Sequence, residues 1–276
     1  GKIYVDRKKE IGICFHCSQG FSGPKFVAAK EGISFPAALR VIYGKGDSRY
    51  ESTPKEPEEE LTGPWFPPCE PLSGDGLEYM IGRGFDSEFC NRMGLMFCRQ
   101  NVKLPDGKIY WTSGRVLIFI KDRSGKVLSW IGRDITGKSK IKYLFHPGFK
   151  AAENLYGVDA VSPGEPLIIV EGVMDVWGWV RAGFSNVVAT FGKKISKEQI
   201  AQIVSLQPET VYIAWDGDAH FERAKFSENY GHLFPVKIIE MKDKDADELK
   251  DNQLRNLYGM AVDYSWGDKI IACLGS

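Results

Sequence analysis

Several features are scarce in this sequence, and each scarcity excludes something. Six cysteines in 276 residues are too few for a disulfide scaffold. Only Cys14 and Cys17 are closely spaced, a pattern that favours a reducing compartment and a metal knuckle. No apolar run approaches the roughly 20 residues that cross a bilayer. The opening Gly1-Lys2-Ile3-Tyr4 lacks the apolar core of a secretion signal. Net charge is absent too, with 36 basic residues against 36 acidic ones. No internal repeat is visible. What is present is ordinary for a globular chain: 43% apolar and 26% charged residues exclude wholesale disorder, collagen and coiled coil. The length suggests two domains with a small appendage.

The zero sum hides a strong asymmetry. Between Arg99 and Lys150 there are twelve Lys/Arg and three Asp, a local charge of +9. Tyr110, Trp111, Trp130, Tyr143 and Phe145 are interleaved with them. Cations neutralise phosphates and aromatic faces stack unpaired bases, although solvated strands over core aromatics have the same composition. From Glu240 to Asp251 the sign reverses, with six acids against three lysines.

Residues 2–5 and 11–15 read as a short hairpin ending at Cys14-Phe15-His16-Cys17, and residues 24–42 as a helix broken by Gly32 and Pro36. Residues 44–71, dense in Pro and Gly, read as a linker. Leu77–Cys98 is expected to be helical, interrupted by glycines. Val116–Ile120 and Val127–Ile131 form a hairpin signal around Asp122-Arg123-Ser124-Gly125. From 165 to 241 strands and helices alternate, and the strands are continuously apolar. That pattern indicates a parallel sheet covered on both faces.

In such a sheet, ligands sit beyond the carboxyl ends of the strands. Glu171-Gly172 follows one strand, Asp216-Gly217-Asp218 another, and Asp245-Ala246-Asp247-Glu248 comes after a third. Asp175 lies one helical turn beyond Glu171. Taken singly, such acids cap helices. Three groups on one rim instead suit divalent cations held by oxygen ligands, Mg²⁺ or Mn²⁺.

On these residues the sequence resembles the DnaG-type DNA primases of bacteria and phages, with their TOPRIM domain. Val170-Glu171-Gly172-Val173-Met174-Asp175 resembles the family's glutamate motif, Ala189-Thr190-Phe191-Gly192 its small-residue loop, Asp216-Gly217-Asp218 its paired aspartates, and Asp245-Ala246-Asp247-Glu248-Leu249 its third acidic motif. Arg115-Val116-Leu117-Ile118-Phe119-Ile120, Gly132-Arg133, Lys142-Tyr143 and Leu155-Tyr156-Gly157 resemble the basic subdomain that precedes TOPRIM. Cys14-Phe15-His16-Cys17 and Gly32-Ile33-Ser34-Phe35 resemble the second half of its zinc ribbon.

The resemblance implies an α/β fold: a Rossmann-like TOPRIM parallel sheet flanked by helices, preceded by an α+β basic subdomain and a zinc-ribbon remnant. Its divisions are a ribbon half with helix (1–43), linker (44–71), basic subdomain (72–160), TOPRIM domain (161–255) and a C-terminal helical extension (256–276). It implies an enzyme that makes short RNA primers from NTPs on single-stranded DNA by two-metal nucleotidyl transfer. The family's site maps onto Glu171 and Asp175 as catalytic groups, Asp216, Asp218, Asp245 and Asp247 as metal ligands, and Arg115, Arg133 and Lys142 as nucleotide or template contacts. It further implies a replicative helicase as partner, no membrane association, and the cytoplasm of a bacterium or phage-infected host, with the compact layout leaning towards phage.

Departures from the family pattern lie mainly at the zinc ribbon. Cys14 and Cys17 supply two of the four ligands Zn²⁺ wants, and residues 1–13 hold neither Cys nor His. Three readings follow: the first knuckle lies outside this sequence, the hairpin folds without metal, or Cys69 joins the site. Two other activities use the same acids: a TOPRIM metal-dependent nuclease, and, with catalysis lost, a single-stranded DNA-binding module.

Overall fold

The structure, a computed structural model, describes residues 3–6, 11–14, 20–22, 27, 31, 65–104, 106–216, 219–241 and 244–264. The chain divides into two compact units, residues 1–60 and 61–276. In the first, β1 (Ile3–Asp6) pairs antiparallel with β2 (Ile11–Cys14), which pairs with β3 (Gly20–Ser22). The expected hairpin is therefore extended by a third strand. Cys17 lies outside the described residues, as does the linker up to 64. Of the expected helix over 24–42 only Val27 and Glu31 are described, both helical.

The second unit begins with β4 (Glu70–Pro71), α1 (Asp75–Gly82), α2 (Ser87–Arg92) and β5 (Met96–Cys98). A two-stranded ribbon, β6 (Val102–Lys103) and β7 (Ile109–Tyr110), follows, then the long hairpin β8 (Arg115–Lys121) and β9 (Val127–Asp134), and β10 (Tyr143–Phe145). These form an antiparallel sheet in the order β10-β9-β8-β5-β4. Two expectations are corrected here. Residues 96–98 are strand, not helix end, because Phe97 and Cys98 point into apolar clusters on opposite faces. Residues 65–71 are not linker: the Trp65 carbonyl accepts the indole N–H of buried Trp130 at 2.8 Å, and Glu70–Pro71 closes the sheet edge.

The remainder of the second unit alternates: β11 (Leu167–Val170), α3 (Val173–Arg181), β12 (Val187–Ala189), α4 (Lys197–Leu206), β13 (Val211–Ile213), α5 (His220–Tyr230), β14 (Val236–Ile238), α6 (Asp251–Gly259) and β15 (Val262–Asp263). The sheet order is β12-β11-β13-β14-β15, parallel except for the last strand. Residues 256–276 were expected to be helical. Over the described part, α6 ends at Gly259 and Val262–Asp263 covers the sheet edge by pairing with Lys237–Ile238, while 265–276 lie outside the described residues. Along β11, Ile168 and Val170 enter one core cluster with Trp177 of α3, while Leu167 and Ile169 enter another with Ile203 of α4 and Phe226 of α5. Both sheet faces are buried, which is why the strands read as unbroken apolar runs. Among the described residues no helix is long and apolar enough to cross a membrane.

The two sheets share a core. Phe85 and Phe89 meet the ring of Trp177 edge-on at 5.8 and 6.3 Å, and the Trp177 indole N–H donates to the Tyr156 hydroxyl at 2.7 Å. The Leu155-Tyr156-Gly157 turn is held against β12 by a bridge between Tyr156 and Ala189. Gly157 has a left-handed φ of 84°, and a Cβ there would come within 2.7 Å of the Val187 carbonyl.

Arg115 is a staple of this unit. It is 2% exposed and donates to the carbonyls of Trp111 (2.8 Å), Gly132 (3.0 Å) and Ile141 (3.0 Å) and to the Ser139 hydroxyl (2.8 Å). Replacing it with leucine removes four hydrogen bonds and strands the buried Gly132 carbonyl, an unsatisfied group costing about 1–3 kcal/mol by itself. We expect Arg115→Leu to lower unfolding free energy by at least about 3 kcal/mol in urea melts.

Candidate active site

The order β12-β11-β13 makes the carboxyl ends of β11 and β13 a topological switch point, where the chain's connections leave in opposite directions and a crevice opens. Glu171 and Asp216 stand at its two lips, and the Asp216 N–H donates to Glu171 Oε1 at 3.1 Å. On the first turn of α3, Asp175 faces the turn Ala246–Glu248. Its Oδ1 accepts the Ala246 N–H and its Oδ2 the Gly172 N–H, both at 3.1 Å. The acidic turn approaches this closely because the helix carries glycine at 178. A Cβ there would sit 2.5 Å from the Ala246 carbonyl oxygen and 2.8 Å from the Asp247 nitrogen.

The result is an oxygen-rich cluster. One carboxylate oxygen from each of Asp175, Asp245 and Asp247 lies within 4.8 Å of the others. Asp247 is buried: its Oδ2 receives the Arg83 guanidinium through Nε at 2.7 Å and through Nη2, while its Oδ1 has no hydrogen-bond partner. Burial works against the charge on Arg83, but the pair with Asp247 outweighs it and raises the arginine's pKa. Burial first, then the charges of Asp245, Asp216 and Asp247, push Asp175 up to about 8. An unpartnered buried oxygen beside crowded carboxylates, in an all-oxygen donor set, fits a hard divalent cation.

These acids line a cavity of about 350 Å³ together with cations from the antiparallel sheet. Of the expected site residues, Glu171, Asp175, Asp216, Asp245, Asp247, Arg133 and Lys142 all line it. Arg133 stands 4.9 Å from the Tyr143 ring centre and donates to the Tyr79 hydroxyl at 3.1 Å. Asp175 groups with Asp245 and Asp247. Arg115 does not line the cavity. Its donors are spent on the staple described above. Asp218 lies outside the described residues, as does Cys17, while Cys14 ends β2. Cys69 sits in the second unit beside the Trp130 cluster, where burial raises its thiol pKa. Arg83 is the residue that sequence reasoning missed. It stands alone between two glycines, and its partner lies 164 residues away.

A family model described as the Toprim domain matches residues 165–224, the stretch that carries Glu171, Asp175 and Asp216. The DNA primase of Clostridium acetobutylicum is 27% identical, over 88% of this chain and 48% of that protein. The chain is thus similar to bacterial DNA primases over most of its length, and the Toprim match falls within that similarity. It spans about half the length of that curated relative. The crystal structure of the Aquifex aeolicus primase zinc-binding and RNA polymerase domains superposes with a TM-score of 0.60 at 24% identity, over 95% of this chain and 76% of that one. A DnaG catalytic domain solved bound to single-stranded DNA gives 0.59 at 22% identity, over 70% and 74%. The primase catalytic-core fold, a mixed α/β architecture with a parallel Toprim sheet, is thus shared by this chain.

Two outcomes follow from the site's packing. A helix-interior Gly→Ala ordinarily stabilises by roughly 0.5–1 kcal/mol. At position 178 the backbone clash reverses the sign, and Gly178→Ala is expected to destabilise by about 1–3 kcal/mol and to weaken stabilisation by Mg²⁺ in thermal melts. The second concerns pH. Because the folded-state pKa of Asp175 is raised to about 8, the folded chain keeps a proton that the unfolded chain releases above about pH 4. Its contribution to stability is therefore full below that pH and is lost as pH rises through about 8. In chelator, melting temperature should fall over this window, Asp175→Asn should flatten the fall, and Mg²⁺ should offset it.

Proposed function

We propose that this chain synthesises RNA primers from nucleoside triphosphates on a single-stranded DNA template. The observation that carries this reading is a single cavity in which Glu171, Asp175, Asp216, Asp245 and Asp247 face Arg83, Arg133 and Lys142. Nucleotidyl transfer needs that combination: oxygen ligands to gather cations, and fixed positive groups for a triphosphate.

Asp175, Asp245 and Asp247 would hold one divalent cation, Mg²⁺ or Mn²⁺, with Asp216 beside them in the same cavity. When bound, such cations neutralise phosphate charge and ease deprotonation of a 3′-hydroxyl. The protein's own groups do the rest. Arg83 fixes Asp247 in one orientation through its two-pronged pair, so the ligand oxygen is placed before substrate arrives. Arg133, locked between Tyr79 and Tyr143, and Lys142 supply charge-assisted hydrogen bonds to the triphosphate where negative charge grows. Glu171, which lines the same cavity, would accept the proton of the attacking hydroxyl. A replicative helicase supplies the template, and the reaction takes place in the cytoplasm.

Purified protein given NTPs, single-stranded DNA and Mn²⁺ should form dinucleotides and short RNA. Glu171→Gln, Asp216→Asn and Asp245→Asn should each lower that rate by at least about 100-fold with folding intact by circular dichroism. Undiminished synthesis by these variants would overturn the site. Cutting of DNA without NTPs, and no RNA product, would point to a nuclease instead.

A further inference from the structure

The interleaved aromatics of the +9 segment separate sharply in three dimensions. Trp130 is fully buried, and Tyr110 donates its hydroxyl to the Phe145 carbonyl inside the fold. Trp111 is the opposite, 64% exposed, the most exposed tryptophan among the described residues. Tryptophans with a packing role here, such as Trp177, Trp179 and Trp215, are at most 1% exposed.

Its backbone is nevertheless held rigidly. The Trp111 carbonyl accepts from Arg115 Nε, the neighbouring Thr112 hydroxyl donates to the Gln100 carbonyl at 2.6 Å, and the Ser113 N–H donates to Asn101 Oδ1 at 3.0 Å. The same Arg115 guanidinium grips Ser139 and the Ile141 carbonyl. One buried arginine therefore sets Trp111 beside the loop 138–141, which carries exposed Lys138, Lys140 and a 54% exposed Ile141. The nearby acids are occupied: Asp134 accepts from the Thr136 hydroxyl and the Gly137 N–H, and Asp106 pairs with Lys108. The next residue along, Lys142, lines the acidic cavity, so the loop runs from the tryptophan to the proposed reaction centre.

We propose that Trp111, flanked by Lys138 and Lys140, is a stacking station for the bases of an unpaired nucleic-acid strand leading to the cavity, and that buried Arg115 is what presents it. The occupant is a single strand because an exposed indole offers a flat apolar face to a base while the two ammonium groups meet its phosphates, and both features are sequence-tolerant. This inference rests on the template-directed reaction proposed above, but its test does not use that reaction as a readout.

The full chain should be titrated against fluorescein-labelled oligo-dT and against an abasic oligomer of equal length, by anisotropy. Wild type should bind oligo-dT more tightly than the abasic strand. Trp111→Ala should weaken oligo-dT binding by about 5- to 100-fold and abolish that preference, with an unchanged salt slope. Trp111→Phe should retain most of it. Lys138→Ala/Lys140→Ala should weaken both ligands and shallow the salt slope by about 1.4. Because Trp111 is exposed, its variants should melt as wild type does. Equal affinity of Trp111→Ala and wild type for oligo-dT, or no wild-type preference for bases, overturns the proposal. A chain that stacks bases through Trp111 yet makes no primer defeats the catalytic reading alone.

Discussion

Electrostatic repulsion among carboxylates is the constraint around which this fold is organised. Glu171, Asp175, Asp216, Asp245 and Asp247 share one cavity of about 350 Å³, and nothing in the mutual chemistry of acids favours that gathering. The fold offsets it with particular groups. The Ala246 and Gly172 N–H groups hold Asp175, the Asp216 N–H holds Glu171, and Arg83 grips Asp247. The compensation is incomplete, since Asp247 Oδ1 remains buried without a donor and Asp175 is pushed up to about 8. A site left short of positive charge in this way suits divalent cations.

Packing converts that local balance into a fixed geometry. The apolar cluster that includes Phe85, Phe89, Ile118, Ile131 and Trp177 runs continuously from the antiparallel sheet into α3. Arg133, on β9, and Asp175, on α3, are therefore held by one core and line one cavity. Gly178 is the counterpart on the acidic side, since removing a single Cβ lets the Ala246–Glu248 turn rest against the helix backbone. Rearrangement of the site would require repacking this core, which close-packed interiors resist.

The basic segment shows why charge density alone underdetermines function. Its cations fall into two physical classes. Arg115 and Arg133 are buried and hydrogen-bonded, one as a staple of carbonyls and the other as a ring-sandwiched wall of the cavity. Lys138 and Lys140 are exposed and solvated. The planar guanidinium tolerates burial because it can satisfy several acceptors at once, whereas the ammonium group stays in water.

Much of this was legible along the chain. Continuous apolar strands between helices announced a two-faced parallel sheet, and the position of Glu171, Asp216 and Asp245 just beyond strands put them on one rim, because a parallel sheet delivers every strand end to the same edge. Boundaries were less legible: the strand at 96–98 and the ordered stretch 65–71 read otherwise, since three-residue strands carry little periodicity and a carbonyl that pairs with Trp130 leaves no mark on composition. Sequence by itself thus determined the sheet, the order of its acids and the excess of cations beside them. Which cations face the acids, the role of Arg83, and the separation of exposed Trp111 from buried Trp130 were decided only by the tertiary structure. Contacts between residues as far apart as 164 positions are set by packing, which has no local signature.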